Sequence, residues 1–234
     1  MRILIEFRYD GSMFSGFQRQ NKDRSVQKDI EDTLASIYGE KIDIKGAGRT
    51  DAGVHALGQT ATFDVPYYIE QLRSILNEKL SDIEIKKLKV VDDDFHARFS
   101  AIGKVYLYKI KLNSKGKNPY YICLKDIDID KMKEVANVFV GTHNFKNFVS
   151  GERDNYETVI KSIKFYKVFN YMTIRFEGAG FYRYMVRNLV GAMIDAGKGK
   201  VTVDEVKSML DHPEQHKQLS TALPNGLYLY KVLY

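Results

Sequence analysis

Ile3, Ile5 and Phe7 alternate with Arg2, Leu4, Glu6 and Arg8, and this period of two predicts a first strand over Arg2–Tyr9. A loop containing Gly and Ser follows over residues 10–24. Val26, Ile30, Leu34 and Ile37 then recur at helical spacing, behind Ser25 as N-cap and ahead of a terminating Gly39. Lys28 stands where a capping box would need an acid. Residues 42–47 and 57–64 read as strands around a glycine-rich turn, 69–79 as a second amphipathic helix, and Ile83–Val91 as a strand. The first half is therefore β-α-β-β-α-β. In the second half, 105–112 alternates as a strand and 130–140 is helical. Residues 158–168 and 172–176 form a hairpin across Phe169, Asn170 and Tyr171. Phe181, Met185, Leu189 and Met193 mark a helix over 181–196, 203–210 is a short helix, and Leu227–Leu233 is a last strand. The element order repeats without a sequence repeat. It predicts an α+β chain of two ferredoxin-like halves, 1–102 and 103–234. No Pro- or Ser-rich linker separates them, which favours halves packed tightly together.

Composition narrows the function. The chain has 234 residues, 44% hydrophobic and 28% charged, which excludes a disordered protein. Its formal net charge is +6. The excess is uneven: residues 1–100 carry 15 Lys and Arg against 17 Asp and Glu, and residues 101–234 carry 21 against 13. A basic second half points to an anionic partner, nucleic acid first among them. Cys123 is the only cysteine, so neither an internal disulfide nor a zinc site of the Cys₂His₂ or Cys₄ kind can form. No long apolar run suits a signal peptide or a membrane span, and a cytoplasmic location is the expectation.

Several familiar devices are missing. Gly191 to Gly197-Lys198-Gly199 has the wrong spacing for a phosphate-cradling loop. Gly46-Ala47-Gly48 and Gly178-Ala179-Gly180 do not extend to a dinucleotide fingerprint, and no nucleophile elbow occurs. His212 and His216 are separated by Pro213 and have no carboxylate set beside them, so they read as a solvated pair rather than metal ligands.

The informative stretch is Gly46-Ala47-Gly48-Arg49-Thr50-Asp51-Ala52-Gly53-Val54-His55. Its glycines allow tight turns or close approach. Arg49 would favour the charged form of the neighbouring Asp51, and an ionised carboxylate can serve as base or nucleophile. The same spacing also fits a surface turn with an Arg–Asp pair, and the residues alone leave both readings open. Arg183 and Arg187, four apart on the expected helix, repel each other unless they face an anion. Tyr106 and Tyr108 share one face of their strand, as a base-stacking platform or as half-buried tyrosines.

Together these stretches resemble the TruA family of tRNA pseudouridine synthases. The resemblance runs through Tyr9-Asp10-Gly11-Ser12, Gly16-Phe17-Gln18-Arg19-Gln20, Ser25-Val26-Gln27 and the Ala47–Ala56 block with Gly58-Gln59. It continues through Asp94-Phe95-His96-Ala97-Arg98-Phe99-Ser100, Tyr106-Leu107-Tyr108, Met185-Val186-Arg187-Asn188-Leu189-Val190-Gly191 and Gly226-Leu227-Tyr228. It implies that Asp51 is the essential aspartate, that Arg49 enters the RNA stem as the target base leaves and then helps hold Asp51, and that Tyr106 stacks on the flipped uracil. Arg187 would pair with the catalytic carboxylate, and Arg19, Arg183 and His55 join the substrate-binding set. The implied fold is two fused ferredoxin-like halves sharing one mainly antiparallel sheet, with helices on one face and a central basic cleft. The implied protein is a homodimer that grips the anticodon arm of tRNA, acts at uridines 38 to 40, and uses no cofactor, metal or membrane. Phe17 stands where many members have Trp, and the connection over 113–122 is short. The same chemistry on ribosomal RNA, or a non-catalytic RNA-binding module, are the competing readings. The intact Arg49-Thr50-Asp51 and Arg187 speak against the module.

Overall fold

The computed structural model describes residues 1–214 and 219–234, so His216 lies outside the described residues. In chain order the elements are β1 (Arg2–Tyr9), α1 (Val26–Tyr38), β2 (Lys45–Gly46), β3 (His55–Asp64), α2 (Leu72–Lys79), β4 (Ile83–Val91), β5 (Gly103–Leu112) and β6 (Ile122–Leu124). There follow α3 (Ile129–Val138), β7 (Gly141–Asn144), β8 (Glu157–Val168), β9 (Tyr171–Gly178), α4 (Met185–Gly197), α5 (Val203–Asp211) and β10 (Leu227–Leu233). The fold is α+β and mainly antiparallel. The chain forms two compact units, Met1–Ile102 with Tyr228–Tyr234, and Gly103–Leu227. No helix among the described residues is long and apolar enough to cross a membrane.

In the first unit β1 lies between β4 and β3, antiparallel to both, and β10 runs parallel to the start of β3. Ile3, Ile5 and Phe7 are fully buried, as are Ile30 and Leu34 of α1 and Leu72 and Leu76 of α2. The alternation of β1 thus supplies one core face, which the apolar stripes of two helices meet. The strand expected over 42–47 shrinks to Lys45–Gly46. The reason is a side chain from α1: the Ile44 N–H donates to Glu31 Oε1 at 3.0 Å instead of to a neighbouring strand.

Ser25 does occupy the N-cap of α1, but its side chain makes no capping bond. The first helical N–H groups are satisfied otherwise, Val26 N by Gly16 O at 3.3 Å and Gln27 N by Phe17 O at 2.9 Å. This docks the loop between β1 and α1 onto the helix end. Gly39 closes α1 at φ 74°, in the left-handed region expected of a terminating glycine.

In the second unit β5 pairs with β9, β9 with β8 and β8 with β7, all antiparallel, while the short β6 runs parallel to β5. Val168 faces Tyr171, so the hairpin turn is the two residues Phe169 and Asn170, with Phe169 at φ 52°. The helix expected over 181–196 begins only at Met185. Tyr184 adopts φ 62°, which a right-handed helix cannot contain, and Phe181 turns away to pack edge-on against Tyr106 with ring centroids 5.2 Å apart.

Candidate active site

Asp51 sits half-buried in the loop between β2 and β3, and backbone contacts fix that loop from two sides. From β3, Gln59 Nε2 donates to Gly48 O at 2.9 Å, and Ala47 N donates to Thr60 O at 2.9 Å. From the loop after β1, Phe17 N donates to Thr50 O at 3.0 Å, and Gly11 and Gly16 press their Cα atoms against the 50–55 backbone. A Cβ on Gly16, which has φ 102°, would lie 3.1 Å from Thr50 O and 3.3 Å from Ala52 N. A Cβ on Gly11 would overlap Val54 O and come within 2.8 Å of His55 N. Glycine is required at both places because one backbone lies on another. Val54 N closes a turn onto Asp51 O at 3.1 Å. The carboxylate is thus carried on a peptide segment clamped on both flanks, as pre-organised chemistry needs.

Buried below the loop, the Tyr9 hydroxyl lies 2.8 Å from Thr50 Oγ1. Burial pushes that hydroxyl up to about 12. The folded state therefore favours the neutral phenol, and this stabilisation is complete below the ordinary tyrosine value and lost as pH climbs from about 10 to about 12. Tyr9→Phe is expected to cost about 1 kcal/mol at neutral pH, from the lost hydrogen bond. It should also flatten the alkaline fall of stability. Urea melts between pH 9 and pH 11 check this, and a slope equal to wild type would contradict it.

The other expected site residues are placed as follows. Arg49 is exposed on the loop, and among the described residues no ion pair joins it to Asp51. Arg19 is held by α1: its Nε donates to Glu31 Oε2 at 2.7 Å and its Nη2 pairs with Asp32. The Glu31 contact leads in raising the Arg19 pKa. Arg19 is therefore a neutralised strut between the loop and α1 rather than a bare cation. Glu31 itself is buried and takes two further donors, Gln27 Nε2 at 2.8 Å and Ile44 N at 3.0 Å.

His55 is 2% exposed, with its ring stacked on Tyr228 at 4.6 Å. Its Nδ1 lies 3.1 Å from Gly11 N and 3.2 Å from Asp10 Oδ1. One nitrogen cannot accept from the first and donate to the second. Gly11 N–H is fixed by the backbone, and Asp10 Oδ1 already accepts from Ser12 N and Ser12 Oγ at 3.0 and 2.7 Å. We therefore assign Nδ1 as acceptor and place the ring proton on Nε2. In this arrangement His55 props the Gly11 turn.

Tyr106 and Tyr108 do share one face of β5, and both are buried. Tyr108 is part of the core: its hydroxyl donates to Leu223 O at 2.7 Å, and burial pushes its pKa far up. Arg183 and Arg187 do not share a helix, since Arg183 precedes α4 and Arg187 lies in its first turn. The Tyr184 ring receives both, with guanidinium carbons 5.2 Å and 4.7 Å from its centroid. Arg187 Nε also donates to Ala222 O at 2.8 Å.

Glu31, Gln59 and Thr50 acquire roles that periodicity did not assign. The one available signal was a polar side chain inside an otherwise apolar stripe, as at Gln59 within β3, which is fully buried.

Comparison with known proteins identifies the family of the chain. A family model described as tRNA pseudouridine synthase matches residues 6–100 and 135–234. The tRNA pseudouridine synthase A of Thermosipho africanus is 40% identical over 244 residues, covering 100% of this chain and 99% of that protein. The protein of the same name from Bacillus subtilis is 37% identical over 246 residues, covering 100% and 99%. A solved Cbf5-Nop10-Gar1 complex covers 82% of this chain and 45% of its own at 12% identity and a TM-score of 0.37, too distant to bear on the site. The chain belongs to the tRNA pseudouridine synthase family. The stretches of the family match include Arg19, Arg49, Asp51, His55, Arg183 and Arg187; Tyr106 falls between them.

Proposed function

We propose that this chain isomerises uridine to pseudouridine in tRNA, with Asp51 as the nucleophile. The observation that carries the proposal is the double-sided backbone clamp on the Asp51 loop, in a chain of this family. The target base must leave the stem, because its reacting atoms are hidden in the stack. Asp51 then assists cleavage of the N1–C1′ bond by adding to the base or to the sugar. The freed uracil rotates and C5 bonds to C1′, the bond to the Asp51 oxygen breaks so that the carboxylate is regenerated, and the C5 proton is released while N1 gains one. Exclusion of water favours rejoining over hydrolysis. A glycosidase would instead need a second carboxylate and a positioned water.

In this reading Arg49 takes the place of the flipped base, Tyr106 stacks on the uracil, and Arg187 pairs with the catalytic carboxylate in the reacting complex. Arg183 and the lysines of the basic second half hold phosphates. Arg19 and His55 act indirectly, by fixing the loop that carries Asp51. Uridines 38 to 40 of the anticodon arm, a homodimeric enzyme and a cytoplasmic location follow from the resemblance and complete the proposal.

Tritium release from tRNA labelled at uracil C5 tests the proposal, since only C5–C1′ bond formation expels that hydrogen. Release with wild-type enzyme is expected. Tight tRNA binding with no release would favour a binding module, and release from ribosomal RNA alone would move the chemistry to another substrate.

A further inference from the structure

Helix α4 carries Arg187, Asn188, Gly191 and Asp195 on one stripe, since residues four apart stack along a helix. An extended strap, residues 219–223, lies along this stripe and is tied at each step. Asp195 accepts from Ser220 N at 2.8 Å and from Ser220 Oγ at 2.9 Å. Gly191 meets the Ser220 carbonyl so closely that a Cβ there would lie 2.6 Å from its carbon. Thr221 Oγ1 donates to Asn188 Oδ1 at 2.7 Å. Ala222 then clasps Arg187 twice: its N–H donates to Arg187 O at 3.0 Å, and its carbonyl accepts from Arg187 Nε at 2.8 Å. The Tyr184 ring adds the aromatic contact, 4.7 Å from the guanidinium carbon.

Asp195 is only 4% exposed, although aspartate is a poor helix former and a buried carboxylate is costly without donors. Its donors are Ser220, twice, and Lys200 Nζ at 3.2 Å. Burial would raise its pKa, but the Ser220 and Lys200 donors outweigh burial and hold the carboxyl below the usual range. An arginine side chain is rotamer-rich, and a guanidinium fixed at Nε presents its two remaining nitrogens in a set direction.

We propose that Asp195, acting through Ser220 and the strap, is a positioning residue that sets the direction of the Arg187 guanidinium. This rests on the role given to Arg187 above. Asp195 touches no reacting group; it fixes Ser220, and Ala222 two residues on fixes Arg187.

The test measures kcat and KM for tRNA by tritium release, at least 15 °C below each variant's Tm. Asp195→Ala is expected to lower kcat on the order of 10- to 100-fold, as a displacement of about 1 Å would, with KM nearly unchanged. Asp195→Asn can still accept from Ser220 N–H and donate to Ser220 Oγ, and should recover most of kcat. Asp128→Ala removes the cap of α3, where the side chain accepts from Asp130 N and Lys131 N, and serves as a purely structural control with wild-type kcat. Should Asp195→Ala not fold, Ser220→Ala, which removes a single side-chain bond, is expected to lower kcat in the same sense. Wild-type kcat in the folded Asp195 and Ser220 variants, with loss in Arg187→Ala, would overturn the positioning role alone. Wild-type kcat in Arg187→Ala would overturn the role of Arg187 as well.

Discussion

Gly11→Ala should lower stability by about 3 kcal/mol, near the upper end of the usual cost of overpacking. For a chain of this length that is a fall in Tm of roughly 6–12 °C. The added methyl would overlap the Val54 carbonyl and sit 2.8 Å from His55 N, so it meets backbone on every near side and no side chain can swing away. The Gly11 N–H to His55 Nδ1 bond at 3.1 Å would be displaced with it, and the segment carrying Asp51 would move. Activity should fall as well, by about 100-fold when assayed well below Tm, because the carboxylate is then misplaced. Gly39→Ala is the matched control. Gly39, unlike Gly11, has positive φ, 74°, but nothing lies within 4 Å of its Cβ position. That variant should lose about 1 kcal/mol of stability to backbone strain and no activity. Thermal melts and tritium release on the two variants check the contrast; equal activities would contradict it.

Where periodicity stood alone, as in β1, β4 and the body of α1, the elements were legible in the sequence, because alternation or a 3.6 repeat reports directly which face is buried. The misses share a cause. The strand expected over 42–47 was cut short by the Glu31 carboxylate taking the Ile44 N–H. The Ser25 cap was displaced by loop carbonyls at Gly16 and Phe17. The first turn of the expected long helix was lost to the positive φ of Tyr184. In each case a residue remote in sequence, or an unusual dihedral, supplied what local pattern assigned elsewhere. The candidate site divides the same way. The glycines around Asp51 marked a turn, but not that Gly11 would lie against Val54. Arg187 was visible as a candidate, but its strap was not, since Ser220 and Ala222 carry no pattern of their own. Arg19 and His55 entered through the family resemblance, whereas their ties to Glu31 and to Gly11 appear only in three dimensions.

Asp51→Asn tests the central claim most directly, because it keeps the shape of the side chain and removes the charge that a nucleophile needs. The loop around it is held by Gln59, Thr60, Phe17 and the two glycines, none of which depends on the carboxylate. Melting temperature and tRNA affinity should therefore stay close to wild type. The rate should drop by roughly 10⁴-fold or more, the scale seen when a nucleophile is removed from an otherwise intact site. The decisive measurement is single-turnover tritium release with the Asp51→Asn enzyme in excess over C5-labelled tRNA, beside its binding curve. Tight binding with no release above background is the predicted result. Release at a wild-type rate would show that another group breaks the glycosidic bond.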